Sequence, residues 1–321
     1  MKLLVQLARF IVAITFIFSG FVKLVDPIGS AYKFEEYFGA NVLNLEFLIP
    51  FALPFAIALI LAEIMLGVML LVGYLPKLTT WSLLLIMFVF LFLTWYSAYY
   101  NKVTDCGCFG DAIELSTWGT FYKNVVLIVL VVLLVFKNHL ITSLYSVNVS
   151  KWVTFLSFFT FLFITYYVLM HLPIIDFRPY AVGNNIEEGM QYNGDEEPKI
   201  YDFYLENSED EEVTTKVLNE DKVVLIVMHN LSKSDKEGFT EIKKVTDQAK
   251  VNGYKIYGLS ASFEEEYLKI KEAFDLNFDI LFCDDTVLKT IIRANPGIVI
   301  LNKGTVVGKW NWTDADDINF N

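Results

Sequence analysis

Five stretches of the chain are nearly unbroken runs of apolar residues, each close to the roughly 20 residues a helix needs to cross a bilayer. They cover residues 3–25, 47–75, 78–100, 118–136 and 152–172. The first has Lys2 and Arg9 at its start and no small-residue cleavage site, so it reads as an uncleaved anchor rather than a signal peptide. The second is long enough to tilt, with Pro50 and Pro54 near its entry. Beyond residue 173 the pattern changes. Residues 174–200 are rich in Pro, Gly, Asn and acid, as in a connector. From residue 200 onward, short apolar runs alternate with amphipathic stretches.

KVVLIVMH (222–229) is a short continuous apolar run, the pattern of a buried parallel strand. Residues 236–252 read as an amphipathic helix, 254–261 as a second strand and 264–274 as a second helix. A third strand at 279–284, a short helix at 285–293 and two strands within 295–312, joined by a turn at 302–304, complete the pattern. Strands alternating with helices predict a βαβ unit, and the closing hairpin adds antiparallel strands. The expected organisation is a membrane bundle at 1–145, a fifth span at 146–175, a connector at 176–199 and an α/β domain at 200–321.

Composition agrees with this division. Apolar residues make up 55% of the 321 positions and charged residues 19%, below the quarter usual for a soluble domain. Residues 1–175 hold nine Lys/Arg against eight Asp/Glu, and residues 176–321 hold sixteen against twenty-nine. An acidic balance opposes nucleic-acid binding, which needs a basic surface. Lys2, Arg9, Lys77, Lys137 and Lys151 fall in stretches that share one side if the N-terminus is cytoplasmic. The positive-inside rule then places the 101–117 loop and the α/β domain on the outer face, the periplasm of a bacterial inner membrane.

Three constellations in the membrane part are candidates for chemistry. DCGCFGD (105–111) lies between the third and fourth spans, with Cys106 and Cys108 separated by Gly107 alone. A disulfide between them would close a small, strained ring, and strained exposed disulfides tend to be labile or catalytic. The alternatives are a disulfide that staples the loop, or two idle thiols. Asp105 and Asp111 oppose a thiolate unless Lys102 or Lys123 offsets them. Two thiols without a nearby His do not make a metal site. Glu63, in LAEIMLGVML, is an ionisable group at membrane depth and needs a partner, for which Lys23 is the nearest candidate. SGFVKLVDP (19–27) closes the first span, where Asp26–Pro27 ends the helix. A fourth group, Asp176, Arg178 and Tyr180, follows the fifth span, and Arg178 is expected to dock on headgroups or on the outer loops.

Together, SGFVKLVDP, the acid in the second span and CGCFGD between the third and fourth resemble the MauE/DoxX family over about residues 1–140. That resemblance implies a compact helical bundle associated with thiol–disulfide or quinone-linked redox chemistry, with Cys106 and Cys108 as the redox pair. MauE itself is tied to disulfide formation in a periplasmic dehydrogenase subunit. Residues 200–316 look like a thioredoxin-like fold, on the strand KVVLIVMH and on ANPGIVILNKGTVVGKW. By that match Pro296 follows a cis peptide bond. The departure is HNLSKSD (229–235), which stands where a redox thioredoxin has CxxC. The only cysteine of this domain, Cys283, lies on another strand.

Two readings follow. One is a membrane thiol–disulfide or quinone oxidoreductase, with the lipid bilayer around it, a quinone as its cofactor, a periplasmic thiol protein as its partner and the tail as docking module. The other is a non-enzymatic scaffold or accessory subunit that binds a periplasmic partner. A transporter fits less well, because five spans with one intramembrane acid show no inverted repeat.

Overall fold

The computed structural model describes all residues except 104–106, 108, 114, 193, 195–197, 263 and 321, and the side chain of Glu264. It divides into two compact units, Met1–Leu169 and Met170–Asn321.

The first unit is helical. Helices α1 (Lys2–Val25), α3 (Ala52–Val72), α4 (Pro76–Tyr100) and α5 (Thr117–Phe136) form a bundle, joined by α6 (Val147–Met170). These five segments, the second counted from Glu46, are long and apolar enough to cross a membrane. The buried face of α1 repeats every three to four residues through Val5, Val12, Phe16, Gly20 and Lys23. It packs against Leu66 and Leu70 of α3, Leu83 and Met87 of α4, and Leu127, Val131 and Leu134 of α5. The opposite faces carry exposed Leu, Phe, Val and Trp, as lipid-facing surfaces do. On α4, Trp81 and Tyr99 lie eighteen residues apart. That is about 27 Å of helix, and Trp and Tyr at such spacing mark the two interfaces of a bilayer. The chain is a multi-pass membrane protein.

Helix α2 (Pro27–Phe38) was not anticipated. Asp26 does end α1, but its carboxylate also accepts the Gly29 amide at 3.0 Å, and Pro27 opens the next helix. No unbroken apolar run marks α2, because only one side of it is apolar: Phe34 and Phe38 pack on Phe55 of α3. At the opposite end of the bundle, Arg9 is fully buried. It donates to the carbonyls of Leu70 (2.9 Å), Leu71 (2.8 Å) and Thr142 (2.8 Å). These include orphan acceptors at the α3 C-terminus, where a cation also suits the helix dipole. Arg9 is therefore an internal cap, not only a charge at the edge of the first span.

The second unit is a five-stranded mixed sheet in the order β3-β2-β1-β4-β5. Strands β1 (Val223–Val227), β2 (Lys255–Ser260) and β3 (Asp279–Phe282) run parallel. Strands β4 (Gly297–Asn302) and β5 (Thr305–Asn311) are antiparallel, joined by a two-residue turn with positive φ at Lys303 and Gly304. Strand β1 is buried along its whole length, as its unbroken apolar run predicts. Helices α9 (Lys236–Val251) and α10 (Glu264–Phe274) cover one face, through Phe239, Ile242 and Tyr267. Helix α11 (Asp285–Ile291) covers the other, together with the short helices α7 (Ile186–Gly189) and α8 (Thr214–Leu218). A central strand with a parallel neighbour on one side and an antiparallel hairpin on the other, entered through a cis Asn295–Pro296 bond, is the thioredoxin-like arrangement.

The stretch 176–199 is more than a connector. Tyr180 and Ile186 belong to the core of the domain. Gly183 N donates to Val306 O at 2.8 Å, Val306 N to Asn184 O at 2.9 Å, and Ile186 N to Gly304 O at 2.8 Å. Glu206 forms an isolated bridge to Phe282 on the far edge. Residues 183–206 thus touch both sheet edges, groups that otherwise invite aggregation. Their polar composition suits this task and conceals it from a reading based on hydrophobic period.

Candidate functional site

The bundle has a buried polar centre. Lys23 Nζ lies 2.8 Å from Glu63 Oε2 and 3.0 Å from Oε1. Ser19 Oγ donates to Glu63 Oε1 at 2.6 Å and accepts from Lys23 at 3.0 Å. The side chains of Lys23 and Glu63 are 8% and 2% exposed. Removing one member of such a pair strands a charge, which typically costs about 3–5 kcal/mol. The ammonium also lies 5.4 Å from the Phe90 ring.

Glycine makes this meeting possible. A Cβ on Gly20 would stand 2.9 Å from the Ile64 backbone nitrogen, and one on Gly67 would stand 2.9 Å from that of Ile17. Close approach of α1 and α3 at these two points brings Ser19 and Lys23 against Glu63. SGxxK on one helix and ExxxG on the other are therefore one structural unit.

A cleft of about 10 Å³, room for about one water, opens beside this centre. Its polar lining is Thr15, Ser19, Glu63, Lys123 and Asn124. Asn124 is 1% exposed, and its Nδ2 donates to Thr94 Oγ1 at 3.3 Å. In the sequence, Asn124 and Thr94 carry one signal, a lone Asn within an apolar span.

Lys123 also touches the described part of the cysteine motif. Cys106 and Cys108 lie outside the described residues, but Gly107, Phe109 and Gly110 are described. Lys123 Nζ sits 4.0 Å from the centroid of the Phe109 ring, a cation–π contact. Phe109 also packs on Phe18 of α1 at 5.5 Å. Gly107 and Gly110 have φ of +63° and +50°, conformations that favour glycine. A Cβ on Gly107 would meet Lys33 of α2 at 3.1 Å, and one on Gly110 would meet Val22 at 3.0 Å. Gly107, Phe109 and Gly110 thus rest on α1, α2 and α5.

The second unit treats its candidates differently. Asp176 Oδ1 accepts from Arg178 Nε at 2.7 Å, and Oδ2 accepts from Lys309 Nζ at 2.6 Å. Arg178 Nη1 donates to Thr290 O at 3.2 Å. The Arg178 side chain is 2% exposed. It is an internal bolt of the domain, which corrects the expectation of a headgroup or loop contact. Arg178 and Lys309 together hold the Asp176 carboxyl below the usual range despite its burial. Burial and the nearby Arg178 push the Lys309 ammonium down to about 8.

Where a redox thioredoxin has its dithiol, residues 229–235 form an amide and hydroxyl network. Asn295 Nδ2 donates to Asn230 O at 2.8 Å, and Ser234 Oγ lies 2.9 Å from Asn295 Oδ1. Pro296 is buried beneath Gly238. Cys283 is a buried thiol pushed up to about 12 by burial and Asp284. Dithiol exchange has no thiol to start from at this place.

No curated protein matches the chain. Several solved structures align with it, among them two from Bacteroides. One is the solution structure of a thiol:disulfide interchange protein from Bacteroides sp., 18% identical, with a TM-score of 0.28, covering 33% of this chain and 75% of that one. The other is that of a putative protein disulfide isomerase from Bacteroides thetaiotaomicron, 15% identical, with a TM-score of 0.28, covering 35% and 76%. Residues 1–137, which contain the polar centre and the cysteine motif, match the family described as methylamine utilisation protein MauE. Residues 1–137 thus resemble MauE-type membrane proteins, and the tail carries the mixed sheet described above.

Proposed function

We propose that this protein carries out thiol–disulfide redox chemistry at a membrane surface through Cys106 and Cys108. The observation that carries the reading is the seating of Gly107, Phe109 and Gly110 on the bundle, with Phe109 on Lys123. These three described residues of the motif lie against the bundle's helices, which supports a motif held at the membrane surface. A thiolate of a partner protein attacks one sulfur of the pair, and the other sulfur leaves as a thiolate. The partner's second thiol then resolves the mixed disulfide. The partner dithiol is oxidised and Cys106 and Cys108 are reduced, with no net change in protons. On this reading the N-terminus is cytoplasmic, the motif and tail face the periplasm of a bacterial inner membrane, and a quinone in the bilayer is the second redox partner. The tail docks a partner without exchanging disulfides, because residues 229–235 hold no cysteine. That same absence favours a second reading, a scaffold in which the pair only staples the loop.

Thiol trapping in intact cells separates the two. A membrane-impermeant maleimide, applied with and without prior reduction, should find Cys106 and Cys108 in a mixed population. The Cys108→Ser variant should accumulate a mixed disulfide with the partner. A pair that stays fully oxidised or fully reduced under every growth condition would establish the scaffold.

A further inference from the structure

The stretch that follows the last span is turned inside out. Helix α6 ends at Met170, whose carbonyl accepts from Asn311 Nδ2 at 3.1 Å and from Thr313 Oγ1 at 2.7 Å. Leu172 packs on the core of the domain. Asp176 is held by Arg178 and Lys309, and Arg178 is buried. The charged side chains of this stretch thus face inward, while Ile174, Ile175 and Phe177 face outward, Ile174 being 56% exposed. In water that order is unfavourable, since each Å² of apolar surface left exposed forgoes about 25 cal/mol. The contacts at Met170, Leu172 and Asp176 fix the stretch to the domain, so the three apolar side chains form a set surface.

We infer that Ile174, Ile175 and Phe177 are a membrane-docking patch, which inserts into the bilayer that the chain spans and holds the tail against its surface. Ile174 comes four residues after the end of α6, so the backbone keeps it within about 14 Å of that end. The patch continues the lipid-facing surface of α6, which closes with exposed Tyr166, Tyr167 and Met170. Tyr at a span end marks the interfacial layer, into which apolar side chains of peripheral segments insert. Charges inside and apolar groups outside is the order that suits lipid. The acid excess of residues 176–321, twenty-nine Asp/Glu against sixteen Lys/Arg, offers no electrostatic pull toward anionic lipid, so docking falls to apolar side chains. The apolar neighbours of Arg178, and not its guanidinium, meet the membrane.

The test uses the full-length protein at one copy per phospholipid nanodisc, with Ile175→Cys carrying an NBD fluorophore. The background is Cys106→Ser/Cys108→Ser, in which Cys283 stays buried and unlabelled. Val251→Cys, exposed at the end of α9, is the control. Lipids with a nitroxide on the acyl chain should quench the label of Ile175→Cys by at least about half, as befits a side chain about 5–10 Å into the headgroup and acyl boundary. They should leave the label of Val251→Cys bright, and iodide in the water should do the reverse. Phe177→Cys should behave as Ile175→Cys does, and replaces it if that variant does not fold. Equal quenching of patch and control by either agent would overturn the inference. A patch label shielded from iodide yet untouched by the nitroxide lipid would reveal a protein contact and overturn it as well. Both cysteines of the motif are replaced throughout, so the result does not depend on the redox reading.

Discussion

The ion pair of Lys23 and Glu63 shows how one residue sets the terms for its neighbours. Glu63 accepts from both Ser19 and Lys23, so its carboxylate is neutralised within the bundle. Taking away either charge leaves the other in a site that water hardly reaches. Glu63→Gln and Lys23→Met should each lower stability by about 3 kcal/mol or more, whereas the double variant should be milder than either single change. Melting in detergent checks this, and additive losses would show that the two charges act independently. Both residues are visible in the sequence as charges within apolar runs. Their pairing is less visible, because it depends on glycines at positions 20 and 67 that let two backbones touch.

Among the elements, β5 and the 176–186 stretch make the clearest case of mutual dependence. Lys309 on β5 and Arg178 in the stretch share the carboxylate of Asp176. Lys309 is charged in a site that disfavours charge, and its folded-state value is about 8. Unfolded, a lysine holds its proton up to about 10.4. Between these values the unfolded chain binds more protons, so the stability of the tail should rise with pH from about 8 to 10. The full effect is roughly 3 kcal/mol. Asp176 acts in the opposite range: with its folded value lowered, its contribution is present near neutrality and is lost in acid. The buried Cys283 thiol, raised to about 12, contributes in the opposite sense over part of this range. The Lys309 effect is therefore read as the difference between wild type and Lys309→Met in urea titrations of the full-length protein from pH 7.5 to 10. That difference should shift in favour of the wild type as pH rises, and one that does not change with pH would contradict the buried charge.

For the whole molecule, topology decides which compartment the cysteine motif and the tail meet. On the proposed reading all five candidate spans cross, and an odd number puts the N-terminus and the tail on opposite sides. The basic residues Lys2, Arg9, Lys77, Lys137 and Lys151 favour a cytoplasmic N-terminus on that reading. Alkaline phosphatase fused after Leu172 should therefore be active. A stably expressed but inactive fusion would invert the arrangement and remove the oxidising compartment from the proposed chemistry.

The five spans, the alternating strands and helices of the tail, the hairpin turn and the missing CxxC were legible in the sequence by itself. Each is a local property: an apolar run, a period of two or 3.6, a glycine in a turn, a cysteine absent from its place. The tertiary structure alone decided the rest. Arg9 looks like an ordinary edge charge until the α3 carbonyls meet it. Arg178 looks interfacial until Asp176 and Thr290 take it inside. Residues 176–199 read as linker because segments that cover a sheet edge use backbone groups rather than apolar side chains. Asn124 acquires meaning only where α1, α3, α4 and α5 converge. Sequence patterns report how a residue relates to its own helix or strand. Burial, pairing and clefts depend on residues far away in the chain, and those relations exist only once the chain has packed.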